Sequence, residues 1–342
     1  MKAETLLNFA GKILFSLILL AVTFLASGQA VGDYRTNATG TWSWNTAANW
    51  QRCETAGTWA GASNTTYPGQ NPGAGVVNIR DNTTVNVTAD VPNTIGSLSI
   101  NGGSDDSYVT FTGSFSLAVS GETYLYSNSN NDQKAVLVDA GIFSTGSVVA
   151  TSTNNNSRDA YIRISTGSVT VAGDVTLNSN SQRTYILFTG AGSLFVGGSI
   201  TGGNITSTVN GGNAAPTSGT VVFNGTSAQT LGDYTYFNLE IDNASGTSLP
   251  SDINVDNDLT MTQGNINTGS YLISVDDNLN YTSGTVIGRL QRNLTLTSTE
   301  YLYPVGTASS YNPLKITFAN LSAGTLTIQF QASDPGTAGL PV

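Results

Sequence analysis

A glycine opening a short alternating apolar strand recurs along this chain every 25–28 residues. Gly113-Ser-Phe, Gly141-Ile-Phe, Gly167-Ser-Val, Gly192-Ser-Leu and Gly219-Thr-Val are its successive openings. Aligning the glycines aligns their neighbours into columns. Val136, Ile162 and Ile186 form one, and Val138, Ile164 and Phe188 a second. Phe143, Val169, Leu194 and Val221 form a third, and Val149, Val175 and Ile200 a fourth. A fixed period in this range is the signature of a stacked solenoid, and strand-only content makes it a β-helix. Within one interval, Tyr161-Ile-Arg-Ile164, Val169-Thr-Val171 and Val175-Thr-Leu177 each alternate, which predicts three short strands per coil. Thr166-Gly167 and Ala172-Gly173 mark the corners between them, where glycine permits dihedrals that β-branched residues resist. The predicted fold is all-β, a parallel β-helix expected to be right-handed. A coil cannot bury its apolar face alone, so the ends need covers.

Composition agrees. Only 10% of the 342 residues are charged and 38 are glycine, which favours short strands and tight corners over helices. The net charge of −10 disfavours nucleic acid, whose phosphates need clustered Lys and Arg. Cys53 is the only cysteine, so no internal disulfide can brace the stack.

The segments differ in texture. Lys2 and Lys12 precede the apolar run Ile13–Ala26, and Ala26-Ser-Gly28 offers a small-residue cleavage site. Residues 1–28 therefore read as a secretory signal, with no membrane span once it is removed. Residues 29–74 hold all four tryptophans, Trp42, Trp44, Trp50 and Trp59, and read as an N-terminal cap. Residues 75–288 carry the repeat. Beyond Arg289 the glycine period fades, and Tyr301–Gly306 and Leu314–Phe318 predict antiparallel strands of a β-sandwich-like segment over 289–342, apparently incomplete.

A further series is familiar. Gly219-Thr-Val-Val-Phe-Asn-Gly-Thr-Ser-Ala-Gln-Thr-Leu-Gly232 leads to Phe237-Asn-Leu-Glu-Ile-Asp-Asn243. Leu259–Gly264, Gly269–Leu272, Tyr303-Pro-Val-Gly306 and Tyr311-Asn-Pro313 follow. This string resembles the repeat region of large secreted surface proteins of Bacteroidetes bacteria, many of them cargo of type IX secretion. Gly40-Thr-Trp-Ser-Trp-Asn-Thr-Ala-Ala-Asn-Trp50 resembles their opening segment. The resemblance implies a β-helical, adhesin-like extracellular protein and no catalytic residues. The C-terminal sorting domain of that route is not found in these residues, so the chain reads as truncated.

The chemistry is bounded mostly by exclusion. There is no histidine, which removes Ser–His–Asp and Cys–His catalysis and His-ligated metal sites. Asp105-Asp106 and Asp276-Asp277 are adjacent pairs, and strand neighbours point to opposite faces, so neither reads as a catalytic dyad. Asp252-Ile-Asn-Val-Asp-Asn-Asp258 lacks the glycine and the twelfth-position acid of a calcium loop. It reads as strand plus turn, with weak calcium binding as the alternative. No catalytic, cofactor or metal set is assigned.

Two groups are candidate glycan contacts. The four tryptophans can stack on sugar rings or serve as the cap's packing. Lys134, Arg158, Arg163 and Arg183 lie near one corner of successive coils and would attract an anionic glycan, with Asp132 and Asp159 partly neutralising them. The expected function is a secreted or cell-surface, non-enzymatic display scaffold whose partners are extracellular glycans or matrix components. The alternatives are a carbohydrate-active enzyme, lyase or hydrolase, and a carbohydrate-binding module centred on the tryptophans.

Overall fold

The computed structural model describes residues 29–59, 64–101, 103–129, 132–153, 158–179, 183–208 and 214–333. The signal reading of residues 1–28, and parts of the polar corners near residues 130, 155 and 181, lie outside them. Apart from one turn of 3-10 helix at Ala47–Asn49, the regular structure among the described residues is strand.

Three parallel sheets wrap one shaft, as the period predicts. The first sheet climbs from Tyr34–Thr36 and Val76–Ile79 to Ile200–Gly202, and the second from Gly40–Ser43 to Asn204–Thr206. The third runs from Ser116–Ala118 to Asn278–Tyr281. The expected columns are real neighbours. Val136 pairs with Ile162 and Ile162 with Ile186; Val138, Ile164 and Phe188 stack beside them. Phe143, Val169, Leu194 and Val221 stack in the third sheet. All are buried in a single apolar cluster reaching from Trp44 to Val305.

The fourth column needs correcting. Val148, not Val149, pairs with Val175 and hence with Ile200. Thr145 pairs with Val171, so the corner before Val148 is one residue shorter than the corner before Val175. Side chains alternate with period two, so that single deletion turns Val149 to the outer face.

The corner glycines also act differently from expectation. Gly141, Gly167 and Gly192 have ordinary negative φ. A Cβ on Gly167 would lie 2.4 Å from the carbonyl oxygen of Gly141, and one on Gly192 2.5 Å from that of Gly167. Close approach of stacked backbones, rather than an unusual dihedral, demands glycine there.

At the N-terminal end, Trp44 and Trp50 are fully buried and meet edge to face with centroids 4.9 Å apart. Trp44 Nε1 donates to Pro68 O at 3.0 Å and Trp50 Nε1 to Trp44 O at 2.8 Å. These indoles close the shaft with their polar atoms satisfied. Trp50–Thr55 runs antiparallel to Tyr34–Thr36 and Thr58–Trp59 antiparallel to it in turn, so the parallel stack of the first sheet ends in a short antiparallel ribbon.

Beyond Thr206 the shaft changes. The first and second sheets stop, while the third continues through Thr220–Phe223 to Asn238–Asp242. Gln229 bridges the resulting seam. Its Nε2 donates to Val196 O and Gly198 O at 2.8 and 2.6 Å, and its Oε1 accepts from Gly225 N and Asn243 Nδ2 at 2.9 and 2.7 Å. A recess of about 470 Å³ opens beside it, between Ile200–Gly202 and Thr230–Tyr234. Further on, Ile266–Val275 pairs with both Thr247–Ser248 and Ile253–Val255, merging two short strands into one long one. Val286–Leu294 pairs parallel with Ile266–Val275 on one side and antiparallel with Gly324–Gln329 on the other. The expected boundary at residue 289 thus falls inside a strand shared by solenoid and antiparallel segment.

Candidate functional site

Outward side chains on the first sheet form straight rows, because parallel strands in register place equivalent residues about 4.8 Å apart. One row is Arg35, Asn78, Ser99, Tyr124, Val149, Thr176 and Thr201. Beside it run Asn101, Tyr126, Thr151 and Asn178. Leu125 points into the shaft, so Tyr124 and Tyr126 both face outward, half-buried, with their rings stacked at 5.9 Å and 12°.

At the N-terminal end of these rows lies a recess of about 380 Å³ walled by Arg35, Trp59, Asn78, Arg80, Asp81 and Asn101. The Arg35 guanidinium sits 4.4 Å over the Trp59 ring, and its Nε donates to Gln51 Oε1 at 2.7 Å. Arg80 Nη1 donates to Asn37 O at 3.3 Å. Burial and the neighbouring Arg80 charge both pull the Arg35 pKa down. Burial alone would raise the Asp81 carboxyl, but hydrogen bonds from Lys134 Nζ and from the Asp105 and Ser104 amides hold it below its ordinary value. Asp81 is thus already committed to partners other than the two arginines.

The predicted contacts scatter. Trp59 belongs to this recess. Trp42 is half-buried at the first coil of the second sheet, its Nε1 donating to Ala38 O at 3.2 Å. Trp44 and Trp50 are inside, so the expectation of a four-tryptophan sugar platform is corrected: two of the four are packing. Lys134 is corrected too. Val136 and Val138 point inward, and the same pleat turns Lys134 inward, where small Ser107 and Ala160 flank it in the stack. Its side chain is fully buried, with Nζ 3.1 Å from Asp81 Oδ1, 3.6 Å from Asp132 Oδ2 and bonded to Asp105 O. Arg163 pairs with Asp139 at 2.8 Å and Arg183 with Asp159 at 3.2 Å. Arg158 is half-buried, its carbonyl taking Ser152 Oγ at 2.7 Å. The four basic residues do not form one outward patch.

The residues missed were Arg35, Arg80, Tyr124 and Tyr126. The tyrosines had a signal: Glu122-Thr-Tyr-Leu-Tyr-Ser127 alternates aromatic with apolar and is a strand. The arginines had none, because 44 residues of chain separate Arg80 from Thr36, the neighbour of Arg35 whose hydroxyl takes the Arg80 amide.

The carboxylates serve the fold. Asp106 accepts from Gln133 N and Tyr108 OH, both at 2.8 Å. Asp252 takes Leu272 N at 2.9 Å, Asp256 takes Asn254 and Asp258 takes Asn278 at 2.9 Å, so the calcium-like segment is strand plus corner with its acids pointing to separate partners. A cluster of tyrosines and acids from adjacent coils lies on the outer side of the second sheet. Tyr161 OH donates to Gln133 Oε1 at 3.0 Å, the Tyr108 oxygen lies 3.0 Å from the same atom, and Tyr161 stacks on Tyr185 at 4.8 Å. Burial pushes the Asp159 carboxyl up against the opposing pull of Arg183, and pushes the Tyr161 phenol up to about 12. Asp159 and Tyr185 have no exposed surface, so this network stitches coils together rather than meeting a substrate.

No family model, curated protein or solved structure matches this chain.

Proposed function

We propose that this protein is a secreted or cell-surface, adhesin-like β-helix that works without catalysis, displaying a binding face to extracellular glycans or matrix. The observation that carries the reading is the outer face of the first sheet, where Arg35, Asn78, Asn101, Tyr124 and Tyr126 lie on fixed rows beside an open recess that Trp59 helps to wall. Aromatic faces suit the apolar C–H patches of sugars, and amides and guanidiniums suit their hydroxyls and acids. A stiff shaft holds such groups at constant spacing, so weak contacts act together. The composition, the missing histidine and the resemblance to Bacteroidetes surface proteins support the same reading.

Binding of the purified protein to an array of extracellular polysaccharides tests it. Signal above background that is lost in Tyr124→Ala/Tyr126→Ala supports the reading, while an array without signal removes it. Cell fractionation tests the location: recovery of the protein only inside the cell overturns the surface assignment.

A further inference from the structure

We infer that the recess between Arg35 and Arg80 holds the anionic group of an acidic saccharide, a uronate carboxylate or a sulfate ester; this rests on the glycan-binding reading and names its ligand class. Two arginines face one open recess in a chain of net charge −10, yet among the described residues neither makes an ion pair. The one carboxylate on the wall, Asp81, is taken by Lys134 Nζ at 3.1 Å and by Ser104 N and Asp105 N at 2.9 and 3.1 Å. Two guanidiniums held together with no counter-charge are a site that an incoming anion completes, and the planar fork fits carboxylate or sulfate oxygens in pairs.

The surroundings orient the fork. Trp59 and Gln51 hold Arg35 by its face and its Nε, leaving its terminal N–H groups for a ligand. Trp59 is therefore a positioning residue for Arg35 rather than the sugar platform itself. The platform lies one strand beyond Asn101, where Tyr126 stacks on Tyr124. From Arg35 to Tyr124 is three strand steps, about 14 Å, which a short oligosaccharide spans.

Calorimetric titration of the full chain tests this with four probes: an oligogalacturonate, a heparin oligosaccharide, neutral cellohexaose and inorganic sulfate. Binding of either acidic saccharide should weaken about tenfold or more in Arg80→Gln and in Arg35→Gln, and further with added salt. Arg80 is exposed, so its variant keeps the fold. Arg52→Gln, at an arginine 3.9 Å from Glu54, should change nothing. Oligogalacturonate carries carboxylates alone and the heparin oligosaccharide carries sulfates as well, so binding of oligogalacturonate assigns the carboxylate and binding of heparin alone assigns the sulfate. Cellohexaose binding equal to that of the acidic probes, unaffected by the arginine variants, overturns the inference and leaves the glycan reading standing. Binding of sulfate alone overturns the saccharide assignment, and no binding of any probe overturns both.

Discussion

Below the seam and above it, the same third sheet climbs by very different stretches of chain. Leu117, Phe143, Val169, Leu194 and Val221 stack at steps of 25–27 residues, whereas Val221, Leu239, Leu259 and Leu279 stack at steps of 18–20. The rise per coil is set by strand hydrogen bonding and is the same in both. The perimeter is free to vary, and the difference lies in the other two faces and the polar corner that joins them: Val175–Ser179 and Thr184–Phe188 below the seam give way to the shorter Thr247–Ser248 and Ile253–Val255 above it. Below the seam that corner is long and is tied by charge, with Lys134 on Asp132 and Asp81, and Arg183 on Asp159. Above it, the two strands fuse into Ile266–Val275, and none of the ion pairs among the described residues lies between Thr220 and Leu294. Amide ladders replace them: Asn278 donates to Asp258 at 2.9 Å, Asn257 to Asn238 at 2.7 Å and Gln263 to Asp242 at 2.7 Å. A longer perimeter brings outward variety, and it brings the cost of anchoring what it adds.

The glycines give the largest test of that contrast. Gly192 is needed for space alone, whereas Gly264 combines a left-handed φ of 89° with a Cβ position 1.7 Å from Asn243 O. Gly264→Ala should cost about 4 kcal/mol and Gly192→Ala about 1–3 kcal/mol, read as shifts in urea midpoint. Equal losses would mean that backbone strain does not distinguish the two corners.

Charge anchoring comes next. Lys134→Met leaves Asp132 buried with only Ser127 Oγ, at 2.6 Å, as a side-chain partner among the described residues, and should cost about 3–5 kcal/mol. Lys134→Met combined with Asp132→Leu should recover most of that loss. A single variant as stable as the parent would show the lower corner to be held by something other than the ion pair.

At the seam, Gln229→Ala strips partners from two carbonyls, an amide and Asn243, for about 1–3 kcal/mol. Hydrogen exchange should rise around Thr220–Tyr236 and stay unchanged at Val136–Ile164. Uniform loss of protection would mean that the shaft unfolds as one unit across the seam.

The smallest effect is on pH dependence. Asp159 below the seam and Asp256 above it both titrate above the ordinary 3.8 when folded, each mainly through burial. The native chain then takes up their protons first, so each adds stability as pH falls through its raised value, an effect complete below 3.8. Asp81 has the opposite sign: its contribution is present above 3.8 and is lost as pH falls through its lowered folded value. Asp256 is half-exposed and repelled by Asp276, so Asp256→Asn should raise stability at pH 7 by a few tenths of a kcal/mol, less in salt. Thermal melts from pH 3 to 7 would show it; an unchanged profile removes the Asp256–Asp276 repulsion.

Legibility followed periodicity. Columns such as Phe143, Val169 and Leu194 could be written down because every coil repeats one burial problem, and adjacent apolar positions advertise the answer. Val149 failed because two valines in a row leave parity ambiguous and a corner one residue shorter decides it. Lys134 was legible in principle, sharing parity with Val136 and Val138, but its charge argued for solvent until Asp81 and Asp132 were seen beside it. Trp44 and Trp50 carried no mark distinguishing packing from display, since an indole suits both.

Sequence alone determined that this chain coils, which apolar columns such as Phe143, Val169 and Leu194 line the shaft and that histidine chemistry is absent, because those follow from local pattern and composition. Only the tertiary structure decided that the shaft narrows beyond Thr206, that Lys134 is internal, and that Arg35, Arg80 and Trp59 share a recess. Such facts depend on corner lengths and on stacking between residues far apart in the chain, and a repeat states its period without stating what the corners bring together.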